Sequence, residues 1–275
     1  MSTVLIKNAT LVRDNLKEAD VFIKDGVITK IGRVDRGADT VVDGTGKHLF
    51  YGFFDMHAHL REPGFEGKET IASGVRAAVN GGFTDIACMP NTNPVNDNKV
   101  VTEYIINHAG KEGYAHVYPV GAITKGSLGT ELSEMAAMKA AGVIAVSDDG
   151  KPVSDGRVMR LALEYADSLG LKVLSHSEDK SLSGDGVANE GLNSDICGLK
   201  GITRAAEEAA VAREMILSET FSVPVHLCHV STRGAVELIR FFKKKGVRVT
   251  AETCPHYFAL NDDCIRTLDT FTKVN

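Results

Sequence analysis

From Gly52 onward the chain alternates short apolar segments with helix-like stretches, and this rhythm restricts the fold more than any other property of the sequence. Strand-like segments fall near 52–59, 83–89, 115–122, 143–148, 172–177, 224–230 and 247–253, with helical patterns such as 68–80, 131–141, 158–168, 202–218 and 234–245 between most of them. Such alternation implies a parallel sheet with helical crossovers. Seven regularly spaced strands favour a (β/α)8 barrel, here an α/β TIM barrel with about seven strands present, over an open doubly wound sheet. No GxGxxG follows the first strand, which argues against dinucleotide binding. An eighth strand is expected to lie beyond Asn275.

Residues 1–50 read differently, as short strands joined by turns, with Asp25-Gly26 marking a hairpin between two apolar runs. They are expected to form a small β-module, part of a composite β-sandwich, with the barrel over 51–275. The formal net charge of −5 and the lack of any basic run give no sign of nucleic-acid or anionic-membrane partners. No apolar run approaches the roughly 20 residues of a spanning helix, and the opening residues do not look like a signal peptide. Five cysteines without a CxxC pair read as reduced thiols in a cytoplasmic protein.

The segment Asp55-Met56-His57-Ala58-His59-Leu60-Arg61-Glu62-Pro63-Gly64 carries the strongest chemical signal. On a strand, residues two apart share a face, so His57 and His59 can converge on one metal, with Arg61 just beyond them. On a helix the same spacing would splay the rings, since each residue turns about 100°. Barrel active sites are built from the C-terminal ends of strands. Asp149 closes the fourth strand, His176 the fifth and His229 the sixth. Parity puts Asp149 rather than Asp148 inward, and His229 inward with Val225 and Leu227, leaving His226 toward the helix layer. A lone histidine is more often a core residue than a ligand, and His48, His108, His116 and His226 are read in that way. Four histidines and a carboxylate at strand ends are too many for one four-coordinate zinc and suit a pair of metals sharing a hydrolytic centre. The polar stretch 178–198 after the fifth strand is either a functional loop or disordered.

With these residues in view the chain resembles dihydroorotase, and more narrowly the class I bacterial enzymes of the metal-dependent amidohydrolase type. The motif running from Asp55 to Gly64, Met89-Pro90-Asn91-Thr92, Ser147-Asp148-Asp149-Gly150, Ser175-His176-Ser177-Glu178-Asp179 and Cys228-His229-Val230-Ser231-Thr232 carry the likeness. The resemblance implies interconversion of N-carbamoyl-L-aspartate and L-dihydroorotate in pyrimidine (UMP) biosynthesis, with two Zn2+ per subunit. It carries over His57, His59, Asp149, His176 and His229 as metal ligands, and Arg61, Asn91 and Asn275 as substrate-binding residues. Arg61 also makes independent sense, because a guanidinium fork pairs with a carboxylate and this substrate has one. The family's general-base aspartate, at the end of the eighth strand, is expected beyond Asn275, so that no catalytic proton carrier falls within the chain. The competing readings are another cyclic amidohydrolase, an allantoinase or hydantoinase, and a non-catalytic dihydroorotase-like scaffold. A homodimer and aspartate carbamoyltransferase are the expected protein partners.

Overall fold

A computed structural model describes residues 2–12 and 17–272. The chain divides into two units, Met1–Phe53 and Phe54–Asn275.

The first unit is a sheet of β1 (Thr3–Leu11), β2 (Lys17–Lys24), β3 (Val27–Ile31), β4 (Thr40–Asp43) and β5 (His48–Leu49). Its order is β3-β2-β1-β4, with β5 also paired to β1. Asp25 and Gly26 take φ of 50° and 79° at the β2–β3 hairpin, the left-handed pair that a tight two-residue turn requires. Leu5, Phe22 and Val34 form the small core. A register shift interrupts β1 between Ile6 and Ala9. There the Asn8 amide donates to Asp20 Oδ1 (3.0 Å), while the Val34 amide donates to Asp20 Oδ2 (3.0 Å). The Asn8 and Val34 amides hold the Asp20 carboxyl below its ordinary range.

The second unit runs β6 (Phe53–Ala58), α1 (Ile71–Asn80), β7 (Phe83–Cys88), α2 (Lys99–Glu112), β8 (His116–Gly121), α3 (Met135–Ala141) and β9 (Ala145–Val146). It continues through α4 (Gly156–Ser168), β10 (Lys172–Ser175), α5 (Lys180–Ser183), β11 (Ala188–Asn189), α6 (Leu192–Cys197) and β12 (Gly201–Ile202). The last elements are α7 (Ala205–Phe221), β13 (Val225–Leu227), α8 (Arg233–Lys244), β14 (Val249–Ala251) and α9 (Pro255–Ala259). The main sheet has the order β14-β13-β10-β9-β8-β7-β6, so its strands neighbour one another as they occur in the sequence. From β7 to β14 the pairing is parallel throughout. Among the described residues β6 and β14 are the two edges of this curled half-barrel.

Local chemistry explains where the helices start. Thr70 and Ser73 form a reciprocal capping box on α1. Asn98 accepts from the Val100 and Val101 amides at the start of α2, and Asp155 from those of Arg157 and Val158 at α4. The buried face of α2 interrupts Val101, Ile105 and Ala109 with Thr102, so its apolar stripe is weak in the sequence. Between helices and sheet lies a large core that includes Met138, Val146, Leu163, Val173, Met215, Val225 and Leu227. A second, inner layer contains Ala87, Met89, Val120, Ala145, Leu174 and Cys228.

Residues 178–198 are ordered. They hold α5, β11 and α6, and β11 pairs in parallel with β12. The Asn193 amide ties them to a 3-10 turn at Asp262–Thr267, donating to Asp262 Oδ1 (2.9 Å) and Asp263 Oδ1 (3.2 Å). Arg266 Nε donates to Asn193 Oδ1 (2.6 Å) and completes the tie.

Candidate metal centre

Four imidazoles gather around one carboxylate at the C-terminal ends of the strands. Asp149 Oδ1 lies 3.5 Å from His57 Nε2, 3.5 Å from His176 Nδ1 and 3.3 Å from His229 Nε2, while Oδ2 lies 3.5 Å from His59 Nε2. His176 Nδ1 and His229 Nε2 are themselves 3.0 Å apart. The structure thus brings together all five residues the sequence marks as ligands. Among the described residues, His57-His59-Asp149 and Asp149-His176-His229 each offer three donor atoms within 4.8 Å of one another.

The outer ring nitrogens show why these imidazoles point inward. A carboxylate or amide oxygen can only accept, so each such partner fixes an N–H on the nitrogen it faces. His57 Nδ1–H donates to Glu252 Oε1 (2.6 Å), His59 Nδ1–H to Asn91 Oδ1 (3.0 Å) and His176 Nε2–H to Glu178 Oε2 (3.1 Å). Three of the four rings therefore turn their remaining nitrogen toward Asp149, the arrangement in which histidines are presented to a metal.

The charges fit a cation. Burial alone would raise the Asp149 carboxyl, but hydrogen bonds from His176, His229 and His57 outweigh it and hold the group far below the ordinary carboxylate range. Burial also opposes a charged His57, yet Asp149, Cys228 and Glu252 push it up to about 12. Burial disfavours the Glu252 carboxylate, but His226 and His57 bring it down to about 2. His176 brings Glu178 to about 2. Imidazoles that bind a metal give up a proton to do so, which ties metal affinity at such a centre to pH.

Two neighbours of the centre escaped the sequence reading. Glu252 closes β14 and was findable by the strand-end rule that picked out Asp149, His176 and His229. Cys228, His57 and Glu252 form a further group of three donors within 4.8 Å. The parity argument for His226 is corrected by the structure. Val225 and Leu227 pack in the core between helices and sheet, whereas His226 faces inward, with Nδ1 2.8 Å from Thr250 Oγ1 and Nε2 3.3 Å from Glu252 Oε2. His229 still reaches Asp149 because β13 ends at Leu227 and His229 adopts φ of 37°, which breaks the alternation. Asp148 is a buried anchor, accepting from the Ile123 amide (2.8 Å), the Thr124 amide (3.2 Å) and the Thr124 hydroxyl.

Of the expected substrate residues, Arg61 is half-buried, in the left-handed region at φ of 60°, and its guanidinium makes no hydrogen bond or ion pair among the described residues. Asn91 sits against the centre, its Nδ2 3.5 Å from Asp149 Oδ2. Asn275 lies outside the described residues. His108 and His116 keep structural partners, the Tyr104 carbonyl (2.9 Å) and Asp85 (3.3 Å). A cavity of about 700 Å³ opens beside His176 and His229, lined further by Glu178, Arg204, Glu207 and Tyr257.

The fold itself, a curled parallel sheet with helical crossovers, recurs in solved structures. An L-hydantoinase (dihydropyrimidinase) from Arthrobacter aurescens superposes with a TM-score of 0.81 at 22% identity, over 96% of this chain and 61% of the hydantoinase. A D-hydantoinase superposes with a TM-score of 0.78 at 24% identity, over 98% and 61%. The family model described as dihydro-orotase-like matches residues 46–235, and the chain belongs to that family. Among its relatives, the dihydroorotase of Syntrophotalea carbinolica is 55% identical over 93% of this chain, that of Acetivibrio thermocellus 53% over 93%, and that of Pelotomaculum thermopropionicum 52% over 99%. The chain spans 60% of the length of the first two and 64% of the third.

Proposed function

We propose that the protein is a zinc-dependent dihydroorotase, which closes N-carbamoyl-L-aspartate to L-dihydroorotate and reopens it, as a step of cytoplasmic pyrimidine synthesis. The observation that carries this reading is the set of four imidazoles aimed at Asp149, three of them oriented by Glu252, Asn91 and Glu178. His57, His59, Asp149, His176 and His229 would hold two zinc ions. Those ions, when bound, supply a Lewis acid for the amide or carboxyl carbonyl and lower the pKa of water at the site.

The chain's own residues bind and orient the substrate. The guanidinium of Arg61, unpaired among the described residues, takes the substrate carboxylate that does not react, and a bidentate pair there fixes the ring's orientation. Asn91 positions His59 through its amide oxygen and offers its NH2 group toward the reacting centre. The family resemblance adds Asn275 as a further substrate-binding residue. Burial of Asp149 and His176, 8% and 9% exposed, keeps bulk water from competing for these polar groups. A homodimer and an aspartate carbamoyltransferase partner belong to the same reading.

The test is the zinc-loaded protein offered L-dihydroorotate, hydantoin and allantoin side by side, with product measured for each. Where one of the three rings opens, dihydroorotate is expected to be the one. Comparable turnover of hydantoin or allantoin would assign the site to a different cyclic amide. Tight zinc binding without turnover of any of the three would favour a scaffold.

A further inference from the structure

We infer that Arg213 and Glu214 of α7 work as one positioning clamp that sets the spacing of Asp149 and His176. The inference rests on the reading of these residues as metal ligands.

Glu214 is fully buried at 0% exposure, on the face of a long helix turned to the sheet. A carboxylate there costs several kcal/mol in desolvation unless its oxygens are met. Both are met. Glu214 Oε2 accepts from the Ser177 hydroxyl (2.6 Å), and Oε1 accepts from Arg213 Nη2 (3.2 Å). Arg213 in turn donates through Nη1 to the Ser154 carbonyl (2.9 Å) and through Nη2 to the Val153 carbonyl (2.9 Å). Its Nε is buried without a partner, so the side chain is held for what its two Nη atoms do.

The groups so gripped belong to two different strand ends. Val153 and Ser154 lie in the segment that leaves Asp149, and Ser177 follows His176 directly. One pair of adjacent helical residues therefore fastens the two loops that carry Asp149 and His176. Those two donors stand 3.5 Å apart and, with His229, form one of the donor groups. Apolar residues of equal volume would pack α7 as well or better, since a buried ion pair seldom adds net stability. What they would not supply is direction. A guanidinium fork on two carbonyls and a carboxylate on a hydroxyl fix loop positions to hydrogen-bond tolerance.

The experiment is zinc titration, by calorimetry, of chelator-stripped protein in the parent, Ser177→Ala, Arg213→Met, the double variant and Glu214→Gln, with thermal unfolding of each stripped protein alongside. Loss of a partner that orients a metal ligand weakens binding roughly 10- to 100-fold. A fall of that size is expected in both single variants. The double variant should fall no further than the weaker single one, because breaking either end opens the same clamp. Glu214→Gln keeps an oxygen for Ser177 but turns an NH2 group on Arg213, and should fall with the single variants. Zinc affinities equal to the parent in Ser177→Ala and Arg213→Met, whatever their melting temperatures, would reduce the pair to packing and overturn the inference. Losses that multiply in the double variant would overturn it as a single device. A parent that binds no zinc would remove the metal reading and the clamp together.

Discussion

At the scale of single residues, the centre depends on outer partners as much as on ligands. Glu252 donates nothing to a metal in the five-residue set, yet it holds His57 at 2.6 Å and fixes which ring nitrogen faces Asp149. Glu252→Gln is expected to weaken zinc binding by roughly 10-fold or more while leaving the ligands in place, read by titration against a chelator. The cysteines give a second check. Cys88 is buried and burial pushes its thiol up to about 11, so at pH 8 only about one molecule in a thousand carries the thiolate that alkylating reagents attack. Peptide mapping after brief iodoacetamide treatment should find Cys197 and Cys264 modified and Cys88 untouched until the protein is denatured. HxH spacing and strand-end placement marked in the sequence the five residues whose donor atoms the structure gathers. His226 was misread because alternation holds only while the strand lasts, and β13 ends two residues before His229. Glu252 is legible by the same rule, because it directly follows β14 as Asp149 follows the fourth barrel strand.

At the scale of elements, caps and tethers decide where the loops of the site begin. The α1 capping box sits directly after the segment that bears Arg61, so Thr70→Ala should cost about 1 kcal/mol of stability by denaturant unfolding. In the β-module, Asp20 joins the irregular stretch of β1 to Val34, and its folded carboxyl lies below the ordinary 3.8. The sign follows from that direction. Its contribution is fully present above about pH 3.8 and disappears as pH falls through the lower folded value. NMR titration of the Asp20 carboxyl should therefore give a midpoint below 3.8, and Asp20→Asn should abolish that part of the acid sensitivity. The barrel strands and five of the helices could be read from hydrophobic rhythm. The order within 178–198 could not, because it comes from Asn193 bonding to Asp262, Asp263 and Arg266, residues about seventy positions away.

At the scale of the whole molecule, no helix among the described residues is long and apolar enough to cross a membrane. Ligand binding and folding should be linked, since a metal that binds only the assembled centre stabilises it by mass action. At a thousandfold excess of free zinc over its dissociation constant the gain is about 4 kcal/mol. Removal of metal by chelation is expected to lower the melting temperature by several degrees, and readdition should restore it. The contact between His57 and Glu252 has a kinetic consequence too. It spans 195 positions and joins β6 to the far edge, beside β14, while every other step across the sheet links neighbours in order. During synthesis the chain can pair each new strand with the one before it, at low entropic cost. A growing chain that has reached His176 already carries four of the five donors, while Glu252, which turns the His57 ring, is still to come. The His57 ring is thus held in its place only in a chain whose β6 and β14 have both formed, which makes this contact a late event of assembly.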